Sequence, residues 1–201
     1  MDKTSHLSEN ATPDRRTQRT RQALSHALIA LIQDKRYEAI TVQDICERAN
    51  VGRSTFYAYY QDKDDLLTSN FQQAMESFGQ PLAYRDGQLV FPIAPLFEHV
   101  KGHQHLYKAL LWSGGMEVLL RAGQKQWTQQ IEQYVAALLT DRPPPAISIP
   151  VVAVYLAGSL QTLLLWWLEH KMPYTPERMD EMFQQLVMPG VTAILSASVN
   201  S

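Results

Sequence analysis

The side chains best suited to chemistry on a polyanion lie in residues 41–67, TVQDICERANVGRSTFYAYYQDKDDLL. Arg53 carries a planar guanidinium fork that can pair bidentately with O6 and N7 of a guanine. Thr41, at a helix N-terminus, can offer its hydroxyl and its backbone N–H to a phosphate. Such contacts need a scaffold that holds short side chains against a groove, and the same segment supplies one. Val42, Ile45, Cys46 and Ala49 fall at i, i+3, i+4 and i+7, one apolar helical face. Thr41 precedes that face with Asp44 three residues on. This is a capping-box spacing: the threonine hydroxyl accepts from the Asp44 N–H, and the carboxylate accepts from the Thr41 N–H. Asn50-Val51-Gly52 ends the helix, with Gly52 free to adopt a positive φ. A second short helix is expected over residues 53–60. Two helices around a tight turn form a helix-turn-helix, whose second helix can enter a DNA major groove.

Residues 52–66, GRSTFYAYYQDKDDL, resemble the signature of the TetR/AcrR family of bacterial transcription regulators. That signature has a small or hydroxyl residue, an apolar residue and a tyrosine in the recognition helix, then an aromatic pair position, then a lysine followed by acids and a leucine. The likeness extends upstream through Thr20-Arg21, residues 22–32 and residues 37–40, so it covers the first third of the chain. It implies that Arg53, Ser54, Thr55 and Tyr59 face base edges or the adjoining backbone, and that Tyr57 and Lys63 occupy phosphate-contacting positions. Thr41 joins them on the phosphate side. Phe56 and Tyr60 are expected in the small core of the head. For Tyr57 and Tyr59 packing alone is the alternative role. Arg15, Arg16 and Arg19 either track phosphates, reach into the minor groove, or form a solvated face.

Charge is distributed in keeping with this. Residues 15–63 hold nine Lys and Arg against five acids, whereas residues 68–201 hold eight basic and ten acidic groups. The whole chain carries −2 with a pI near 6.3, so only the local asymmetry marks an electrostatic footprint for phosphates. With 201 residues, 45% apolar and 19% charged, the chain fits a globular protein with a substantial core. Its single cysteine, Cys46, excludes an internal disulfide and lies on an apolar helical face, where a packed thiol is expected; a redox sensor would need an exposed thiolate of low pKa. No basic segment precedes an apolar run at the start, so a cytoplasmic protein without a secretion signal is expected.

The domain reading is a disordered arm over residues 1–13, a helix-turn-helix DNA-binding domain over 14–62 and a C-terminal ligand-binding and dimerisation domain over 63–201. The expected fold is all-α with about nine helices. The first helix spans residues 15–35 with Ala23, Ala27, Leu28, Leu31 and Ile32 as its buried stripe. Asp62 caps a fourth helix over 63–80, and residues 81–92, with Asp86-Gly87, read as a loop. Helices follow over 93–101, 103–112, from Gly115 to Thr140, 149–171 and 176–199, the last interrupted near Met188-Pro189-Gly190. No strand pattern stands out. Residues 147–168 are apolar nearly all round, long enough to raise a membrane span. Ser148, Pro150, Ser159, Gln161 and Thr162 inside the stretch favour burial in a bundle or dimer interface instead, and no membrane partner is expected.

The family resemblance implies a homodimer through the last two long helices and a small-molecule cavity in the body. Residues 157–187 also resemble one C-terminal subtype of the family. Trp112, Met116, Trp127, Tyr134, Tyr155, Gln161, Thr162, Trp166 and Trp167 are the candidate lining residues, each with core or interface packing as the plainer role. Gln161 and Thr162 stand out because a polar group on a buried helix needs a partner. His99, His103 and His105 are spaced H-x3-H-x-H, but no cysteine or acidic cluster completes a coordination set, so no metal is expected. The chain has no nucleophile elbow, phosphate-binding loop, dinucleotide fingerprint or paired catalytic carboxylates; neither catalysis nor a cofactor is expected. The expectation is a homodimeric repressor of near-palindromic operator DNA, released by a small molecule. The alternative is a co-regulator or activator whose body binds a protein partner.

Overall fold

The computed structural model describes residues 15–78, 82–85, 88–140 and 145–196. The expected arm at 1–13 and the Asp86-Gly87 turn lie outside the described residues. In chain order come α1 (Arg15–Asp34), a 3-10 turn (Tyr37–Ala39), α2 (Val42–Ala49), α3 (Arg53–Tyr57) and α4 (Lys63–Glu76). A hairpin of β1 (Ala83–Arg85) and β2 (Gln88–Val90) precedes α5 (Ala94–Gly102), α6 (Gln104–Trp112), α7 (Gly115–Leu138), α8 (Ile149–Glu169) and α9 (Pro176–Ser196).

α1 buries Leu24, Ala27, Leu28, Leu31 and Ile32, a stripe at 3-1-3-1 spacing. Leu24 takes the place expected for Ala23, because the larger side chain at that end reaches the core. α2 opens on the capping box: Asp44 N donates to Thr41 Oγ1 at 3.1 Å, and Thr41 N donates to Asp44 Oδ2 at 2.7 Å. The turn after α2 differs from the sequence reading. The left-handed residue is Asn50, at φ 52, whose N–H donates back into α2, while Gly52 is extended at φ −67 and precedes α3. Asparagine tolerates this region better than other residues with a Cβ. Asp62 caps α4, its Oδ1 accepting from Asp65 N at 2.8 Å.

Residues 83–90, read as loop, contain an antiparallel hairpin pairing Ala83 with Val90, Tyr84 with Leu89 and Arg85 with Gln88. Strands of three residues are too short to show a period of two. α9 holds the hairpin's exit through side chains. Gln184 Oε1 accepts from Phe91 N at 3.1 Å, and Asp180 Oδ1 accepts from Ile93 N at 2.7 Å. The interruption expected near Pro189 is absent, since α9 continues through it. A proline inside a helix removes one hydrogen bond and costs about 3 kcal/mol. Val187, Met188 and Val191 around it are buried and hold the helix on the core.

α7 and α8 form the spine of the body, with α9 packed on α5 and α8. α4 packs on α7 and α1 on α6, so one buried cluster runs from the helix-turn-helix into the body. α8 buries Leu156, Leu160, Leu164 and Trp167 on one face, while Val151, Val154 and Tyr155 stay exposed on the other. By length and composition it is apolar enough to cross a membrane, and about a third of it is buried within this chain. A helix that is apolar all round is then covered on one side only.

Candidate nucleic-acid interface

α3 is a five-residue helix whose inward residue is fixed first. Phe56 is fully buried, with Tyr60 beside it at a ring separation of 5.8 Å. That anchor leaves Arg53, Ser54, Thr55 and Tyr57 on the open side. Tyr57 is 54% exposed, its ring set edge-on to Phe56 at 5.5 Å. An aromatic so exposed contributes little to the core, yet Phe56 limits where it can swing. Tyr59 lies past the end of α3, half-buried, with its hydroxyl donating to Thr17 Oγ1 at 3.4 Å. It joins α3 to α1 and does not share the fully open face. Arg21 also ties α1 to this core, donating to the Tyr60 hydroxyl at 3.2 Å, which raises its pKa further.

Two residues expected at phosphates have their donors engaged within the chain. Thr41 gives its N–H and its hydroxyl to Asp44 Oδ2, both at 2.7 Å. Lys35 meets the same oxygen at 2.7 Å. The Lys35 ammonium first, and Thr41 second, hold the Asp44 carboxyl well below the usual carboxylate range. Lys63 Nζ donates to the carbonyls of Tyr37 at 2.8 Å, Glu38 at 3.1 Å and Ile40 at 2.9 Å. It also stands 4.6 Å from the centre of the Tyr37 ring. An ammonium has three hydrogens, and all three are used. Ile40 N already donates to the Tyr37 carbonyl at 3.0 Å, so the lysine is a second donor there, and it caps the carbonyls of Glu38 and Ile40 as well. The Tyr37 hydroxyl donates to Asp64 Oδ1 at 2.5 Å, and burial, then Asp64, push its pKa far above the ordinary tyrosine value. In this conformation Lys63 is therefore a strut between α4 and the 3-10 turn. Nothing in the sequence marks backbone carbonyls as its partners.

Cys46 is buried, and desolvation raises its thiol pKa, which suits a packed thiol. Among the described residues no three His, Cys, Asp or Glu gather around a point. The His99 and His103 rings lie 4.4 Å apart, tilted by 35°, and His99 packs on Phe78 and Tyr107.

The body candidates divide. Met116, Trp127 and Trp167 are buried and Tyr134 is half-buried. Trp127 meets Phe71 edge-on at 6.1 Å, and Gln161 Nε2 donates to the Leu120 carbonyl. These groups close on Gly123, where an added Cβ would touch Gln161, Phe71 and Trp127 at 3.4 Å each. Trp112, Tyr155, Thr162 and Trp166 lie instead on the surface, Trp112 at 80% exposure. The aromatic count could not reveal this, because which way a tryptophan points depends on the turn beside it. Tyr155 and Thr162 line an open groove of about 460 Å³ between α8 and α9, together with Val154, Leu163, Leu186 and Val187. The candidates thus do not surround one cavity. Sequence reasoning passed over Asn70 on α4 and Gln126 and Thr128 on α7, each with a buried polar atom that has no protein partner. Asn70 also lines a polar trough of about 660 Å³ between α1 and α4, with Arg21, His26, Tyr60 and Glu76.

Two family models match the chain. Residues 24–69 match the bacterial regulatory proteins of the tetR family, and residues 93–189 match a transcriptional regulator C-terminal region. The HTH-type transcriptional regulator YxbF of Bacillus subtilis (strain 168) is 40% identical over 62 residues, 30% of this chain. The HTH-type dhaKLM operon transcriptional activator DhaS of Lactococcus lactis subsp. lactis (strain IL1403) is 36% identical over 53 residues, 26% of this chain. The matched stretches span 16% and 28% of those two proteins. The structure of a TetR transcriptional regulator from Streptococcus agalactiae 2603V superposes with a TM-score of 0.60 at 26% identity, over 87% of this chain and 97% of that one. With its helix-turn-helix matched by one model and most of its body by the other, the chain belongs to the tetR family of bacterial regulatory proteins, DNA-binding transcription regulators with a helix-turn-helix head on a helical body.

Proposed function

We propose that the protein is a homodimeric, one-component repressor that acts on near-palindromic operator DNA in the cytoplasm and is released by a small molecule. The observation that carries this reading is the open face of α3, where Arg53, Ser54, Thr55 and Tyr57 stand on a rigid platform set by Phe56 and Tyr60. Residues 14–62 read DNA, and residues 63–201 hold the effector and the dimer contact. Arg53 recognises a guanine edge, Ser54 and Thr55 meet bases or sugar-phosphate, and Tyr57 contacts a phosphate. Tyr59 positions α3 against α1. Thr41 and Lys63 stiffen the head rather than bind phosphate.

The exposed apolar strip of α8, continued by Leu186 at 73% exposure on α9, supports pairing of two chains through their last two helices. Twofold pairing sets the heads one or more helical turns apart, which requires a two-fold related operator. Trp127 and Gln161, around Gly123, and Met116 nearer the start of α7 are the body residues best placed to meet an effector; Tyr155 and Thr162 belong with the dimer face. The effector needs only to prefer a conformation that DNA does not, a coupling of about 1–3 kcal/mol. Activation is the second reading, favoured by the relative named as an operon activator. A protein partner bound by the body would then replace release as the output.

The test is selection of fragmented genomic DNA by the purified protein at near-physiological salt, with Tyr57→Ala alongside. One enriched near-palindromic site, lost in the variant, is expected. Retention without sequence preference, unchanged by Tyr57→Ala, would overturn the reading. A site overlapping a promoter's polymerase footprint supports repression, and one upstream of it supports activation.

A further inference from the structure

We propose that the turn between α6 and α7, Ser113-Gly114-Gly115, is the contact by which the body sets the position of the head, acting directly on the 3-10 turn Tyr37–Ala39. This rests on the reading of the chain as an effector-controlled DNA binder, and it assigns a route that does not depend on α4 alone.

The contact is backbone against side chain: at Gly115 against buried Tyr37 and Leu110, and at Gly114 against the exposed Glu38 carboxylate, which Arg36 holds at 2.8 Å. Gly114 sits at φ 80, a left-handed position, and a Cβ there would come 2.4 Å from Glu38 Oε1 and 3.0 Å from its Cδ. A Cβ on Gly115 would come 2.4 Å from Leu110 Cδ2 and 3.0 Å from Tyr37 Cγ. Two consecutive glycines therefore let the start of α7 lie directly against Tyr37 and Glu38. The turn itself is stiff. Ser113 is 4% exposed, and its hydroxyl donates to the Ala109 carbonyl at 2.7 Å, ending α6 in a fixed geometry. Tyr37 is 3% exposed and Leu110 fully buried, so neither can yield without repacking.

On its far side the 3-10 turn is fastened to everything that aims α3. Lys63 and Asp64 hold Tyr37 and the turn's carbonyls to the start of α4. Ile40 leads directly into the Thr41 cap of α2, and Asp44 of that cap is bridged to Lys35 beyond the end of α1. A shift of the α6–α7 turn must therefore carry the head as one piece. α7 runs from this turn to Gly123 and Trp127, so an occupant among those residues acts on the same helix that meets the head. Close-packed contacts with two discrete arrangements are what a coupling of this kind requires.

Binding linkage is reciprocal, so DNA itself serves as the probe. Hydrogen exchange is measured on the full chain with and without an operator duplex taken from the genomic selection, on wild type, Glu38→Ala and Gly115→Ala. In wild type, operator is expected to slow exchange across residues 41–60 and, by about fivefold, across residues 110–118. In Glu38→Ala, protection at 41–60 is expected to persist while protection at 110–118 falls by more than half. Gly115→Ala is expected to weaken operator binding. Should it prove misfolded by circular dichroism, Glu38→Ala alone decides. Protection of 41–60 with none at 110–118 in wild type overturns this proposal and leaves the DNA-binding reading standing. So does protection at 110–118 that Glu38→Ala does not change. Absence of protection at both segments overturns the DNA-binding reading as well.

Discussion

Replacing Lys63 by methionine separates a structural strut from a phosphate ligand, because methionine keeps most of the stem and removes only the ammonium. Three carbonyls lose the ammonium: that of Tyr37 keeps the Ile40 N–H at 3.0 Å, that of Glu38 faces water, and that of Ile40 is part-buried. A hydrogen bond to a charged group contributes about 1.5–3 kcal/mol. Water can replace the ammonium at Glu38 at little cost. The part-buried Ile40 carbonyl sets the scale, since the Tyr37 carbonyl keeps its backbone partner. The ring contact at 4.6 Å adds about 0.5–1 kcal/mol. Lys63→Met should therefore lower stability by about 2–4 kcal/mol, well outside the roughly ±0.5 kcal/mol typical of a surface position. The assay is urea denaturation at one fixed protein concentration, since dimerisation would make stability concentration-dependent. It is paired with operator binding across a salt series. A strut loses affinity for all DNA without changing the salt slope. A phosphate ligand loses about 0.9 from the slope of log K against log salt. Unchanged stability together with a slope reduced by that amount would refute the strut.

Arg53→Ala should cost about 1–3 kcal/mol on the operator and far less on scrambled DNA, whereas Tyr57→Ala should weaken both alike; fluorescence anisotropy with the two duplexes decides, and the reverse pattern would exchange their roles. Burial first, and His103 second, depress the pKa of His99, so the folded state holds it neutral. Its contribution is whole above about pH 6.5 and is lost as pH falls below that value, because the unfolded chain then binds the extra proton. Stability should drop between pH 7 and 5.5, and His99→Leu should flatten that drop; an identical pH profile in the variant would remove His99 as the cause. Leu186→Glu places a charge on the exposed strip shared by α8 and α9 and should shift sedimentation from dimer to monomer, with a parallel loss of operator affinity; a variant that stays dimeric would locate the interface elsewhere.

The head was legible because its determinants are local. Thr41 and Asp44 lie three residues apart, and the apolar face of α2 and the spacing around Phe56 fall within one or two helical turns. What stayed hidden was set by distant backbone. Lys63 finds carbonyls 23 to 26 residues earlier in the chain, and no side-chain pattern announces an acceptor that every residue possesses. The positive φ fell on Asn50 rather than Gly52 because both residue types tolerate it and Asn50 is the residue that directly follows α2. Helix boundaries in the body held within a few residues, but the side facing out did not. Trp112 looks like core by composition and stands in solvent, and α9 runs straight through a proline that would break an isolated helix.

The tethers from α9 to the residues after the hairpin bear on how the chain forms on the ribosome. Phe91 and Ile93 bind Gln184 and Asp180, 93 and 87 residues further along. At about 5–20 residues per second, synthesis of that interval takes on the order of 5–20 seconds. The helix-turn-helix, made first and from short-range contacts, can order during this time while Phe97 awaits Trp167 of α8 and Phe91 awaits Phe183 of α9. Folding forces recorded with arrest peptides placed after α4 and after α9 should then rise in two steps; a single step at the end would mean that the head waits for the body.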